Sequence, residues 1–359
     1  VTFAANSVRP EIRAMSAYHV RDSTGLIKLD AMENPYPWPD GMEEDWLDYL
    51  RGVPLNRYPD PSATSLKNCL RGSLEAAGDN EILLGNGSDE LIQIIQLSAV
   101  GRDGVIVAPA PSFVMYEMTA RFVGAKFVGV PLSPDFAIDE DAMLRAIRDH
   151  RPSVVFLAYP NNPTGNLFDR GAIGRIISET RGLVVVDEAY HAFAGTSFVD
   201  ELAGYDNLIV MRTLSKLGLA GLRLGYMIGP AELLNEFEKV RMPYNISALT
   251  QRTAEFALGR LDVFEHQASR IVAERDRVYA YLDALEGVAP YPSKTNFILF
   301  RSSLLDAPAL YDRLVEHGIL VKGFGDHGSG LDRCLRVTVG TRRENDVFMA
   351  ALAAILSGR

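Results

Sequence analysis

Leu183-Val184-Val185-Val186-Asp187-Glu188-Ala189-Tyr190 decides the fold class. An unbroken apolar run with three consecutive valines reads as a strand buried on both faces, covered by helices on each side. The run ends on a carboxylate at the strand's carboxyl end. Burying a lone charge is costly, so this group requires a partner. A protonated ring nitrogen is one such partner and a metal ion is another. The chain contains no GxxxxGK[ST] loop, so the acidic strand of a nucleotide triphosphatase is excluded.

Similar runs recur on both sides of this one. Glu81–Leu84, Val105–Ala108, Lys126–Val130, Ser153–Tyr159, Leu208–Arg212 and Tyr226–Ile228 complete a set of seven candidate strands. The intervals between most of them leave room for a crossover helix. That spacing predicts βαβ units and a mainly parallel, mixed seven-stranded sheet in an α/β domain. The pattern changes after residue 230. A helical stretch over 231–285 is expected to break near Pro243. Strands at Asn296–Phe300 and Leu335–Val339 and helices near 307–317 and 344–357 then describe a smaller α+β domain. The expected organisation is an N-terminal arm with part of the small domain (1–45), a large domain (46–240), and a connector helix with the small domain (241–359).

The chain has 359 residues, enough for about two or three domains at roughly 100–200 residues each. Its net charge of −10 disfavours nucleic acid and anionic membrane surfaces as partners, while leaving room for a local basic pocket that takes a small anion. No run approaches the ~18 apolar residues of a membrane span. Val1–Asn6 lacks a basic segment followed by an apolar one, so no secretory signal is expected. Cys69 and Cys334 are too few for a disulfide scaffold, and a reducing cytoplasm is the expected location. The six histidines show neither HxH nor HExxH spacing, and no metal site is expected.

Three further stretches lie at predicted strand ends. Gly85-Asn86-Gly87-Ser88-Asp89-Glu90 opens an apolar helix, where glycines allow close approach and free N–H groups attract phosphate. It is not GxGxxG, so a dinucleotide-binding dehydrogenase is disfavoured. Taken alone it is better read as a plain strand-to-helix turn capped by Ser88 or Asp89. Tyr159-Pro160-Asn161-Asn162-Pro163-Thr164-Gly165 is a polar turn where open α/β sheets bind ligands, and equally an ordinary Asn-Pro turn. Arg212-Thr213-Leu214-Ser215-Lys216, followed by Ala220-Gly221-Leu222-Arg223, puts a lysine just past a buried strand with cationic company. Such surroundings disfavour the ammonium and make a nucleophilic amine, whereas most lysines are simply solvated. Together, in this order, the stretches meet the needs of a pyridoxal phosphate site. These are a phosphate seat, a carboxylate for the pyridine nitrogen, a donor to the ring hydroxyl, an aromatic face and a Schiff-base lysine.

With these marks the sequence resembles the pyridoxal-phosphate aminotransferases of the aspartate-aminotransferase fold, and within them the histidinol-phosphate aminotransferases. Beyond the stretches above, the narrower marks are Lys28-Leu29-Asp30-Ala31-Met32-Glu33-Asn34-Pro35-Tyr36, Asn56-Arg57-Tyr58-Pro59, Thr213–Arg223 and Leu335-Arg336-Val337-Thr338-Val339-Gly340-Thr341. The resemblance implies that Lys216 binds the cofactor and moves the substrate proton. It implies that Asp187 pairs with the pyridine nitrogen, and that Tyr190 and Asn162 donate to the ring hydroxyl. Ser88, Asp89, Ser215 and Arg223 would form the phosphate shell, with backbone N–H groups rather than the Asp89 carboxylate meeting the phosphate. Phe113 matches the aromatic residue on the ring face, with Tyr116 one turn later as the alternative. Tyr58 matches a residue that reaches the neighbouring subunit's cofactor, so a homodimer is implied. Tyr18, Asn34 and Arg336 match pocket positions, and Lys322 stands where relatives commonly carry Arg. The implied reaction exchanges an amino group between L-histidinol phosphate and 2-oxoglutarate, giving imidazole acetol phosphate and L-glutamate; it runs in reverse in histidine biosynthesis. The rivals are an aromatic amino acid aminotransferase, a pyridoxal-phosphate decarboxylase of a phosphorylated amino acid, and a non-catalytic cofactor-binding regulator module. The last would need an appended DNA-binding domain, for which residues 1–45 are too short and too proline-rich.

Overall fold

Seven strands form the central sheet of the computed structural model, which describes Phe3 and residues 7–17, 20–74, 78–101, 103–325 and 330–358. Numbered along the chain after a short β1 (Ile27–Lys28), they are β2 (Glu81–Asn86), β3 (Val105–Ala110), β4 (Lys126–Pro131), β5 (Val154–Ala158), β6 (Leu183–Asp187), β7 (Leu208–Thr213) and β8 (Leu224–Gly229). Their spatial order is β2-β8-β7-β6-β5-β3-β4. Strand β8 runs antiparallel to both neighbours, and the remaining pairings are parallel. Each sequence-predicted strand is present, and β6 has the predicted ends. The others differ by one or two residues at an end: β2, β3, β4, β7 and β8 run longer than the hydropathy marks, and β5 is one residue shorter at each end.

Both sheet faces are covered, as the continuous apolar runs require. On one face Val184, Val186, Val155, Leu157 and Val210 pack against the helices Thr64–Gly72, Glu140–His150 and Arg170–Glu179. On the other, Val185, Phe156, Ile106 and Met211 meet the helices Gly87–Ala99, Met115–Val123 and Ala231–Glu238. Adjacent residues of β6 thus enter different cores, as a period of two dictates.

A four-stranded antiparallel sheet forms the second body, in the order β12 (Lys322–Gly323), β13 (Cys334–Thr338), β10 (Phe297–Ser302), β9 (Val288–Pro290). Strand β1 pairs in parallel with β11 (Ile319–Leu320), which stitches the N-terminal segment onto this body. Strands of two or three residues carry no readable alternation, so β1, β9, β11 and β12 are absent from the sequence reading.

The helical stretch after residue 230 is three helices, Ala231–Glu238, Ala248–Leu258 and Leu261–Ala284. The expected break near Pro243 is present. A second break falls at Gly259 and Arg260, where Arg260 leaves helical geometry at φ −137°. The third helix has 24 residues and buries Phe264, Gln267, Ala268, Ile271, Arg275, Val278 and Leu282. That spacing is one stripe along a helix. Phe264 belongs to the core of the large sheet and Val278 and Leu282 to the core of the small one. Ala268 and Ile271 lie in a middle cluster with Tyr190, Phe193, Phe297 and Val339. Among the described residues, no helix is long and apolar enough to cross a membrane.

Phe264 is fully buried, with its ring edge-on to Trp38 at 6.4 Å. A Cβ at Gly218 would lie 3.3 Å from that ring, so Phe264 also backs the loop that carries Lys216. Phe264→Ala is expected to lower the stability of the full chain by about 3–5 kcal/mol in urea unfolding. A loss below about 1 kcal/mol would show that this turn of helix is not seated in the core.

Candidate active site

The carboxyl ends of β2, β3, β5, β6 and β7 lie along one edge of the sheet; the polar stretches follow β2, β5, β6 and β7, and Phe113 follows β3. Because β8 runs the other way, its beginning reaches the same edge, which puts Arg223 beside residues that follow their strands. A cavity with about 560 Å³ of free space, solvent mouth included, opens there. Of the sequence-predicted residues, Ser88, Asp89, Phe113, Asn162, Asp187, Tyr190, Ser215, Lys216 and Arg223 line it together.

The turn that the sequence marks as a candidate phosphate seat is built from glycines at close quarters. Gly85 and Gly225 face each other across β2 and β8. A Cβ at Gly225 would stand 2.7 Å from the backbone of Gly87 and Ser88. Gly87 adopts φ +74° as it opens the helix Gly87–Ala99. Ser88, in the first turn of that helix, lines the cavity together with Ser215 and Arg223. Asp89 pairs with Arg223 at 3.2 Å, so its carboxylate orients a cation rather than meeting an anion.

Asp187 ends β6 and is buried. One carboxylate oxygen accepts from the Ala189 N–H at 3.1 Å, and the other accepts from the Tyr116 hydroxyl at 2.7 Å. Burial pushes its pKa up to about 6, against the lowering effect of the Tyr116 bond. Tyr116 was the alternative to Phe113 as the ring-face residue. It is instead fully buried and stacked on Phe156 at 4.6 Å, while Phe113 lines the cavity. The bond between Tyr116 and Asp187 is the feature that sequence reasoning missed, since a Tyr inside an apolar helix face carries no signal of its target. Met32 and Thr213, which also line the cavity, were missed as well.

The neighbouring Glu188 points the other way. It forms a buried pair with Arg212 and accepts from the Ser197 hydroxyl and the Phe198 N–H. These donors satisfy a second buried carboxylate one residue from the first.

Lys216 stands in the turn Ser215–Leu219 after β7. Its Nζ donates to the Ala31 carbonyl at 3.3 Å and lies 5.9 Å from the Tyr190 ring centre. Burial, then the positive charges of Arg336 and Arg223, lower its pKa to about 8, with Glu33 and Asp89 opposing. Asn34 holds this turn in place. Its amide donates to the Leu217 carbonyl and to Gln267, and its carbonyl oxygen accepts from the Tyr36 N–H.

Asn162 links the two bodies. Its amide donates to the Tyr190 hydroxyl at 3.1 Å, and its carbonyl oxygen accepts from Arg336 on β13 at 2.6 Å. The Asn162–Pro163 bond is cis. Arg336 also donates to the Asp30 carbonyl at 2.8 Å and lies over Phe297. Lys322 sits directly opposite Arg336 in the β12–β13 register. It is half-buried, and burial and the Arg336 charge lower its pKa. Tyr58 lies elsewhere, 79% exposed and stacked on Tyr244 at 4.4 Å. Tyr18 is outside the described residues.

Because burial favours the neutral amine, Lys216 in the cofactor-free chain is expected to react with a small acylating reagent half-maximally near pH 8. An ordinary lysine has its midpoint at about pH 10.4. Peptide mapping across a pH series reads this out, and Arg336→Met should raise the midpoint. A Lys216 midpoint near 10 in the parent chain would contradict the burial argument.

A sequence profile described as aminotransferase class I and II matches residues 24–352. The chain is 51% identical over 350 residues to histidinol-phosphate aminotransferase 2 of Nitrosococcus oceani, covering 98% of this chain and 97% of that one. It is 49% identical over 348 residues to histidinol-phosphate aminotransferase of Chromobacterium violaceum, with 96% of each chain covered. The crystal structure of histidinol-phosphate aminotransferase from Sinorhizobium meliloti in complex with pyridoxal-5'-phosphate superimposes with a TM-score of 0.86 at 26% identity, covering 98% of each chain. With the strand-end cavity and end-to-end likeness pointing the same way, the chain belongs to the class I and II aminotransferases, among the histidinol-phosphate aminotransferases.

Proposed function

We propose that this chain is a pyridoxal-phosphate-dependent enzyme that exchanges an amino group between L-histidinol phosphate and 2-oxoglutarate, working in the reverse direction in histidine biosynthesis. The observation that carries this reading is a single cavity holding a buried lysine, a buried carboxylate and a phosphate seat, with Arg336 at its edge through Asn162. The residues fit the cofactor. Ser88, Ser215, Arg223 and the N–H groups of the helix Gly87–Ala99 suit its phosphate. Asp187 suits its ring nitrogen, Asn162 and Tyr190 its ring hydroxyl, and Phe113 its face. Lys216 suits its carbonyl carbon.

Bound pyridoxal phosphate supplies an electron-accepting ring that takes up charge when the substrate loses its Cα proton. The chain's own groups do the rest. Asp187 keeps the proton on the ring nitrogen, because a buried carboxylate gains most by facing a positive charge. Burial lowers the Lys216 pKa to about 8, so the neutral amine that can accept the Cα proton and return it is well populated near that pH. Asn34 keeps the lysine turn in register for that transfer. Arg336 is our candidate for the group that holds a substrate anion, the phosphate in one half-reaction and the glutamate carboxylate in the other. Lys322 adds charge beside it without a planar fork.

The functional unit is a homodimer in the cytoplasm. Tyr58 and Tyr244, with Leu55 and Met242 nearby in sequence, leave large apolar surface exposed on loops outside the cavity. A second copy covers that surface, and Tyr58 reaches the partner's phosphate seat. Mixing Tyr58→Ala chains with Lys216→Ala chains then creates one site with both wild-type residues. Heterodimers should show activity above either parent. No recovery in confirmed heterodimers would mean that each site is complete within one chain.

The substrate assignment is tested by half-reactions followed optically. Two charge-assisted contacts at about 1.5 kcal/mol each or more should favour histidinol phosphate over histidinol by at least about 100-fold in kcat/KM. Arg336→Ala should weaken both half-reactions and Lys322→Ala mainly that of the phosphate-bearing substrate. Parity with histidinol, or a preference for phenylalanine, overturns the substrate assignment in favour of an aromatic aminotransferase.

A further inference from the structure

We propose that Tyr116 is a positioning residue that acts through Asp187, fixing the carboxylate's orientation and supplying a donor that keeps its charge satisfied inside the protein. This rests on the reading of Asp187 as the partner of the cofactor's ring nitrogen.

The geometry is specific. The Tyr116 hydroxyl donates to Asp187 Oδ2 at 2.7 Å, while Oδ1 is held by the Ala189 N–H. Both carboxylate oxygens therefore have a protein donor, and Asp187 still lines the cavity. The Tyr116 ring has little freedom. It is fully buried, lies nearly parallel to Phe156 at 9°, and meets Phe113 edge-on at 5.7 Å and 85°. The same side chain thus braces the carboxylate and the aromatic wall of the cavity. Burial and the Asp187 charge hold the Tyr116 phenol well above its ordinary pKa, so it donates and does not ionise. The other charged and titratable groups around Asp187 are Asp89 from the helix Gly87–Ala99, Glu188 and Tyr190 beside it in the chain, and Lys216 and Arg223 across the cavity. Of these, Asp89 and Glu188 repel the carboxylate charge, whereas the Tyr116 bond favours it.

The test uses the cofactor-free full chain and pyridoxine 5′-phosphate, which has the ring and phosphate but no aldehyde, so Lys216 is not needed for binding. Affinity is measured by calorimetry from acid to alkaline pH. The acid limb that Asp187→Asn removes is the one set by Asp187; any remaining pH dependence belongs to the probe. In Tyr116→Phe that limb should move up by roughly one pH unit with alkaline affinity retained. The ring stack survives this change. Replacing Tyr116 with 3-fluorotyrosine, a stronger donor, should move the limb down, and this arm decides alone if Tyr116→Phe does not fold. Uniform weakening at all pH values, with the limb in place in both variants, would overturn the proposal and leave Tyr116 as packing only. If Asp187→Asn leaves the parent profile unchanged, Asp187 does not face the ring nitrogen, and the cofactor assignment fails with the proposal.

Discussion

A carboxylate shielded from water has to be met by donors, and the arrangement around β6 follows from that requirement. Asp187 and Glu188 are consecutive, so the pleat sends them to opposite sides. Each is buried, and each has its own donors. Tyr116 and the Ala189 N–H serve the first; Arg212, Ser197 and the Phe198 N–H serve the second. The donors come from the flanking helix and strand and from the loop past β6, so satisfying two charges ties several elements to one strand end. The Asp187 side retains access to the cavity, beside Lys216.

Lys216 obeys the complementary constraint. An ammonium in the same cavity is disfavoured by burial and by two arginines, and the amine becomes available near neutral pH. Neither effect depends on a bound molecule. The apoprotein already carries a depressed lysine and a raised carboxylate, separated in the cavity and each held by a neighbour. Asn34 contributes at a distance from the chemistry by joining the N-terminal segment, the lysine turn and the long helix through one amide side chain.

Legibility in the sequence tracked how local each signal was. The strand Leu183–Asp187 was readable to the residue because four apolar positions end on an acid. Most of the cavity residues were readable because their stretches each follow a strand, or, for Arg223, precede an antiparallel one; Met32 and Thr213 were not. The break at Gly259 and Arg260 was not, since the apolar stripe continues through it. Nor was the contact between Arg336 and Asn162, which joins residues 174 positions apart. Tyr116 illustrates the limit. Its position in the helix Met115–Val123 predicts burial, but the acceptor that its hydroxyl meets is set by how that helix packs against the sheet.

The helix Leu261–Ala284 has a consequence for inheritance as well as for structure. One face of it supplies side chains to the large core, the middle cluster beside Tyr190 and the small core in turn. The two bodies therefore share one helix, whose middle turns pack in the same cluster as Tyr190. In a genetic screen for growth, a lesion such as a polar residue at Leu282 would be scored with the active-site mutants, although it lies in the small core.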